Sequence, residues 1–435
     1  MSAPERESSL AKQARTRAEI TDGLRALLLA RSVPLDEIDA AIAENRLDLL
    51  VIDRLLLPTS HLRTPEQVIE TTGIPLEIAE RLWRALGFPE VGEGNPAFTD
   101  QDIEALRTIQ GLTELGLTTG ETSVQVTRVL GSSMSRVADA FMSATDQANG
   151  IVDYPMTLAC ETDPRLEEAM RVAFASEVVL PSMERLLIYA WRRHIQAAAR
   201  RRATMLRDHT DANPMLPVLT VGFADMVGFM ALSSQLDAES LMRVVDRFEA
   251  LAHDTVVEGG GRVVKMIGDE AMFVTTDATN AVRIALDLVD AYADDDVLSD
   301  VRVGLATGPV LAREGDFFGA VVNRASRIVN IADAGSVLVS AEARDAIIAE
   351  CERSGGEELA WQSLKPRELK DLGRVELWTV ARPGRTGPSE ERRAGVRWRR
   401  MTGITHQLSE LRQTGEAAIS SLRSGDSSRV DGAAS

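Results

Sequence analysis

A chain of 435 residues with 44% hydrophobic content is long enough to hold more than one packed domain. Its formal net charge of -18 speaks against broad coating of nucleic acid, and its longest apolar runs, such as Ala26 to Ala30, are far too short to span a bilayer. Met1 to Ser9 is polar and charged, unlike a secretory leader, and Cys160 and Cys351 lack metal-site spacing, so a soluble cytoplasmic protein with reduced thiols is expected.

In chain order, the stretch from about Arg15 to Asp208 reads as helical. Leu24, Leu27 and Leu28 recur at helical spacing, as do Ile38, Ala41 and Ile42. Thr99-Asp100-Gln101-Asp102, followed by Ile103, Leu106 and Ile109, predicts a capped helix start. Between Trp191 and Arg207 there are six arginines and no acidic residue, and the pattern stops at Asn213-Pro214. This predicts a basic helix over 191–213 joining a helical domain, 1–190, to a second domain, 214–382.

After Pro217 strands alternate with helices. Val218 to Asp225 predicts a strand, and Leu241, Val244, Val245, Phe248 and Leu251 predict an amphipathic helix. Arg262 to Thr275 predicts a hairpin turning at Gly268-Asp269. A helix near Ala281 to Ala291, a strand at Val301 to Ala306, a helix near Asn323 and a strand at Ser336 to Ser340 follow. The tail, 383–435, is rich in Arg, Ser and Gly, weakly patterned, and expected to be disordered.

Two short runs carry chemistry: Phe223-Ala224-Asp225-Met226-Val227-Gly228-Phe229 and Lys265-Met266-Ile267-Gly268-Asp269-Glu270. Each places an aspartate at the end of an apolar, β-rich stretch, and two carboxylates on neighbouring strands suit hard divalent cations and a nucleoside triphosphate. Together with Asn323-Arg324-Ala325-Ser326-Arg327, these runs resemble the catalytic core of class III nucleotidyl cyclases. The resemblance spans roughly Leu216 to Ala381 and implies an α+β, ferredoxin-like catalytic domain behind an all-helical N-terminal domain.

The resemblance further implies conversion of ATP to 3′,5′-cyclic AMP and pyrophosphate. It makes Asp225 and Asp269, helped by the Met226 carbonyl, holders of two Mg²⁺ or Mn²⁺ ions per active site. It assigns Asn323 to the ribose and Arg327 to the α-phosphate, and places Phe229 among the substrate-binding residues. Lys265 and Asp316 stand at the family's base-reading positions: lysine donates to adenine N1 and aspartate accepts from the 6-amino group, a polarity that guanine reverses. Many members carry an arginine where this chain has Pro309. Arg313 is a candidate replacement, and Lys370 lies near the family's polyphosphate lysine. One catalytic domain carrying both half-sites implies a homodimer.

The helical half resembles the autoregulatory domain of certain actinobacterial adenylyl cyclases. In the joining helix His194, flanked by Arg192 and Arg193, is the candidate pH-responsive regulatory group. Two other readings compete. Thr64 to Leu112 resembles winged-helix regulators, which would make the chain a DNA-binding or signalling regulator with a degenerate cyclase domain. Against it, residues 61–115 hold four arginines and ten acidic residues, so stable nucleic-acid binding is not expected. Gly268-Asp269-Glu270 partly echoes diguanylate cyclases, but Ile267 and Ala271 break that signature.

Overall fold

The computed structural model describes residues 18–59, 61–92, 94–116, 119–147, 164–208, 216–354, 358–369 and 373–384. Two compact units divide at Thr204 and Met205. Cys160, Asn213-Pro214, Lys370 and residues 385–435 fall outside the described residues. Cys351 is a half-buried free thiol.

The first unit is helical. Helix α1 spans 18–30; α2, Leu35–Ala43; α3, Leu47–Leu56; α4, Pro65–Thr72; α5, Leu76–Leu86; α6, Asp100–Glu114; α7, Gly120–Gln147; and α8, Pro164–Phe174. One core joins Leu24, Leu28, Ile38, Ala41, Leu50 and Val51 to Ala169 of α8. A second joins Val68, Leu82, Phe98, Ile103, Leu106 and Val124 across α4 to α7. Both α4 and α6 begin with reciprocal capping boxes, Thr64 with Gln67 and Thr99 with Asp102, so the expected cap at Thr99 is present.

A π-helical turn, Ala175–Val179, leads straight from α8 into α9, Leu180–Asp208. The joining helix thus begins eleven residues before the expected Trp191. Composition placed that boundary where the arginines begin, whereas the backbone is already helical there, running on from α8 through the π-helical turn and past Pro181. His194 consequently lies in the middle of α9, not at its start, and its side chain is exposed. Among the described residues no helix is long and apolar enough to cross a membrane.

The second unit is built on a seven-stranded sheet. Its elements run β1 (Val218–Met226), α10 (Phe229–Ser233), α11 (Ala238–Glu258), β2 (Arg262–Ile267), β3 (Glu270–Thr275), α12 (Ala278–Asp294) and β4 (Val301–Pro309). There follow β5 (Leu311–Arg313), β6 (Asp316–Phe318), α13 (Ala320–Ile331), β7 (Val337–Ser340), α14 (Ala341–Ser354), β8 (Ala360–Ser363), β9 (Arg367–Leu369), β10 (Gly373–Val375) and β11 (Leu377–Ala381). The order is β2-β3-β1-β4-β7-β11-β8, with β5–β6 and β9–β10 as separate ribbons. The first four strands with α11 and α12 make a βαββαβ unit of ferredoxin-like order, β1 lying between β3 and β4 and antiparallel to both. The α+β expectation holds, and every strand and helix expected between Val218 and Ser340 is present.

The two sheet faces differ. Ala224, Met226, Phe273, Val303 and Leu305 pack beneath α11, α12 and α14. Leu219, Val221, Phe223, Met272 and Val274 face α13 and the β5–β6 ribbon. Helix α13 lies against β4 because Gly304 leaves room: a Cβ there would sit 2.4 Å from the Val329 backbone nitrogen.

Candidate active site

Alternation along β1 puts the Asp225 side chain on the face of Val221 and Phe223, the one bearing α13. Across from it, Ile267 pairs with Glu270, leaving Gly268-Asp269 as a two-residue turn. Gly268 adopts φ 64°, a left-handed value that would strain a residue with a Cβ. Asp225 lies opposite Glu270 in the strand register, and the Met226 N–H donates to the Asp269 carbonyl at 3.0 Å. The pairing thus stitches the two predicted metal aspartates together, with Glu270 as a third carboxylate at the same corner.

That corner is electrostatically strained. Burial, reinforced by the Asp225 charge, lifts the Asp269 carboxyl above the usual range. Burial and then the charges of Asp225 and Asp269 push Glu270 up to about 7. Among the described residues no group of three or more His, Cys, Asp or Glu side chains is arranged to hold one metal ion. Two carboxylates and the Met226 carbonyl nonetheless form a partial set of hard oxygen donors, suited to Mg²⁺ or Mn²⁺ whose other ligands are water and phosphate oxygens.

Raised acid pKa values make this corner a cost to the metal-free fold once the carboxyls ionise. Glu270→Gln should therefore stabilise the metal-free protein at pH 8, by about 1–2 kcal/mol after allowance for solvent around a half-buried group. The gain should fade as pH falls through 7 and vanish near pH 4, where the acid is neutral folded and unfolded alike. Melting curves in chelator test this; an equal gain at both pH values would contradict the electrostatic cause.

The remaining predicted residues fall into three places. Helix α13 buries Val321, Ala325, Ile328 and Val329, which leaves Asn323 and Arg327, one turn apart, on its exposed side. Lys265, in β2, donates from Nζ to Asp316 Oδ2 at 2.6 Å, so the two expected base readers meet within one chain. The β5–β6 ribbon holding Asp316 is also pinned by the Arg262 guanidinium, 5.0 Å from the centre of the Phe317 ring. Arg313 stands opposite Asp316 in that ribbon, its Nε donating to Glu314 at 3.3 Å. Pro309 pairs with Val218, at the other end of β1 from Asp225, so Arg313 follows the strand end remote from the carboxylates of its own chain. Phe229 opens α10 and packs half-buried against the core that holds Met226 and Leu232.

Two members of the corner were not anticipated. Glu270 ends the run Lys265 to Glu270, and only the strand register shows that it faces Asp225. Arg302, in β4, places Nε and Nη2 each 2.6 Å from Asp225 Oδ2. Its sequence signal was a lone charge in the apolar run Val301-Arg302-Val303-Gly304-Leu305, opposite Asp225 once the strands are registered.

A βαββαβ sheet with paired carboxylates at its β1 corner and a polar α13 face is the architecture of a nucleotidyl cyclase catalytic domain. Family models agree: the adenylate and guanylate cyclase catalytic domain matches residues 213–380, and the adenylate cyclase regulatory domain matches 8–187. The chain is 35% identical over 357 residues to an adenylate cyclase of Streptomyces coelicolor, covering 77% of this chain and 89% of that one. It is 32% identical over 394 residues to an adenylate cyclase of Streptomyces griseus, covering 82% and 94%. The chain belongs to this family of adenylate cyclases, which joins a helical regulatory domain to a cyclase catalytic domain. Among solved structures it is similar to the catalytic core of a rhodopsin-guanylyl cyclase with converted specificity in complex with ATPalphaS, at 26% identity and a TM-score of 0.35, over 38% of this chain and 97% of that one.

Proposed function

We propose that the chain converts ATP to 3′,5′-cyclic AMP and pyrophosphate at sites shared by two copies, under the control of its helical unit. The observation that carries the choice of ATP is the Lys265–Asp316 contact of 2.6 Å. Lys265 pairs across the hairpin with Met272, which packs with the α13 core, so a donor and an acceptor sit together on the face that carries Asp225. Adenine offers an acceptor at N1 and a donor at the 6-amino group, and would replace one charged contact with two matched ones. Guanine presents the reverse polarity to both.

The 3′-hydroxyl attacks the α-phosphorus in line, its proton passing to solvent; the new O–P bond forms as the bond to the bridging oxygen breaks, and pyrophosphate leaves with that electron pair. A pair of Mg²⁺ or Mn²⁺ ions on Asp225, Asp269 and the Met226 carbonyl would supply hydroxyl acidification and charge neutralisation. Arg327 presents a permanently charged planar fork to the α-phosphate oxygens, and Asn323, one turn earlier, orients the ribose. Both project from the exposed side of α13, a placement suited to completing the site of a second copy. Arg313, in β5 just beyond the Pro309 end of β4, suits the same cross-subunit role toward the leaving pyrophosphate.

Purified full-length protein, assayed with ATP or GTP in Mn²⁺ or Mg²⁺, should yield cyclic AMP and little cyclic GMP. Lys265→Glu with Asp316→Cys should lower the ATP-over-GTP preference by at least about 100-fold. An active double variant with unchanged preference would overturn the polarity argument.

A DNA-reading role for 61–115 fits less well, because acidic residues outnumber arginines there and three of its four arginines are engaged within the fold. Arg63 pairs with Asp100 at 2.7 Å, Arg84 pairs with Glu90, and Arg107 donates to the Thr71 carbonyl at 2.7 Å.

Regulation is assigned to α9. His194 is exposed beside Arg192 and Arg193, and its protonation would add charge to an already basic segment, biasing the helix between arrangements that hold or release the catalytic unit. The expected result is a steep pH–activity profile in the full-length enzyme that flattens in His194→Ala. Superimposable profiles would remove His194 from the mechanism.

A further inference from the structure

Arg302 has no part in base reading or in the Asn323–Arg327 pair, yet its contacts are the most specific at the carboxylate corner. It is the single charged residue of β4 and stands directly opposite Asp225. Two of its nitrogens converge on one oxygen, Asp225 Oδ2, at 2.6 Å each. The third, Nη1, donates to the Asn330 carbonyl at 3.0 Å, in the last turn of α13. Its charge also acts on Asp269 and Glu270, against their mutual repulsion. A guanidinium keeps its charge at any physiological pH, so it cannot vacate Asp225 by losing a proton. It has to move.

The geometry points to Arg302 as the resident counter-cation of the carboxylate pair, a positioning residue that holds Asp225 while no metal is bound and yields it when a divalent cation enters. This rests on the reading of Asp225 as a metal ligand. A divalent ion and a guanidinium cannot both sit in contact with one carboxylate oxygen without strong like-charge repulsion, least of all where burial lowers the effective dielectric. The Asn330 carbonyl keeps one end of the side chain tethered, so the guanidinium can swing off Asp225 without losing every partner. The consequence is kinetic order: metal alone binds weakly, whereas metal arriving with nucleotide brings phosphate charge that offsets Arg302. In the free enzyme Arg302 prevents the three carboxylates from repelling one another apart.

The test is Mn²⁺ binding to full-length protein without nucleotide, followed by electron paramagnetic resonance of the free ion. Arg302→Met removes the charge and every donor while keeping the unbranched stem, and Arg302→Gln removes the charge while keeping a neutral donor where Nε stands beside Asp225. Each should bind Mn²⁺ at least about tenfold more tightly than wild type, and Asp225→Asn should lose binding. If both Arg302 variants bind Mn²⁺ no better than wild type while Asp225→Asn loses it, the counter-cation role is overturned and the metal assignment stands. If Asp225→Asn binds as wild type does, the metal assignment fails and takes this inference with it. A readout independent of variant folding is a crystal structure of the wild-type protein with Mn²⁺: Arg302 should have moved more than about 4 Å from Asp225, and an intact contact beside the bound ion would refute the displacement.

Discussion

Alanine at Asp225 or at Asp269 is expected to reduce cyclic AMP formation to below about one thousandth of the wild-type rate, even at saturating Mn²⁺. Each substitution removes one of two carboxylates that the β1–β3 pairing brings to a single corner. Neither neighbour can take over. Glu270 is half-buried, and the desolvation that is the first cause of its raised value persists in either variant, and Arg302 carries the wrong sign. Loss of the fold cannot explain the effect. Removing Asp269 relieves repulsion on Glu270, so that variant should melt no lower than wild type. Removing Asp225 also deprives Arg302 of its partner and should lower stability modestly, by about 1–2 kcal/mol. Circular dichroism and thermal melts accompany the assay. Substantial turnover in either variant at saturating Mn²⁺ would refute the two-carboxylate site.

What the sequence disclosed about this corner, and what it did not, follows from the range of the interactions. The Gly268-Asp269 turn, the strand ending near Asp225 and the helix around Asn323 are local patterns, read from period and turn chemistry, and the structure has each of them. Lys265 and Asp316 are 51 residues apart and were paired through family resemblance, not through spacing; their contact needs the β5–β6 ribbon to fold over β2. Arg302 was missed for the same reason. An arginine amid Val301, Val303 and Leu305 looks like an ordinary outward side chain until β4 is set beside β1 in register, 77 positions earlier. The start of α9 was misplaced because charge composition changes at the arginines while the backbone does not: the helix runs on from α8 through a π-helical turn and past Pro181. Phe229 shows the converse case: its place in a catalytic motif suggested the substrate, and its side chain packs largely toward the core.

The second large effect tests whether the sites are shared. Asp225→Ala and Arg327→Ala proteins should each be inactive alone, yet mixing them should restore activity. Asp225 belongs to the β1–β3 corner, and Arg327 to the exposed side of α13, beyond the helix face that packs on the sheet. If Arg327 serves the metal corner of the other copy, a mixed dimer has one site lacking both groups and one site with both intact. Random pairing of equal amounts makes about half the dimers mixed, each with one working site of two, so roughly a quarter of wild-type activity is expected. A site completed within one chain predicts zero for every mixture. Subunit exchange is followed separately, by co-purification of differently tagged copies, so that a silent mixture can be interpreted. Demonstrated exchange without activity would place Arg327 and Asp225 in the same site of the same chain, and the cyclase would then need no second copy for chemistry.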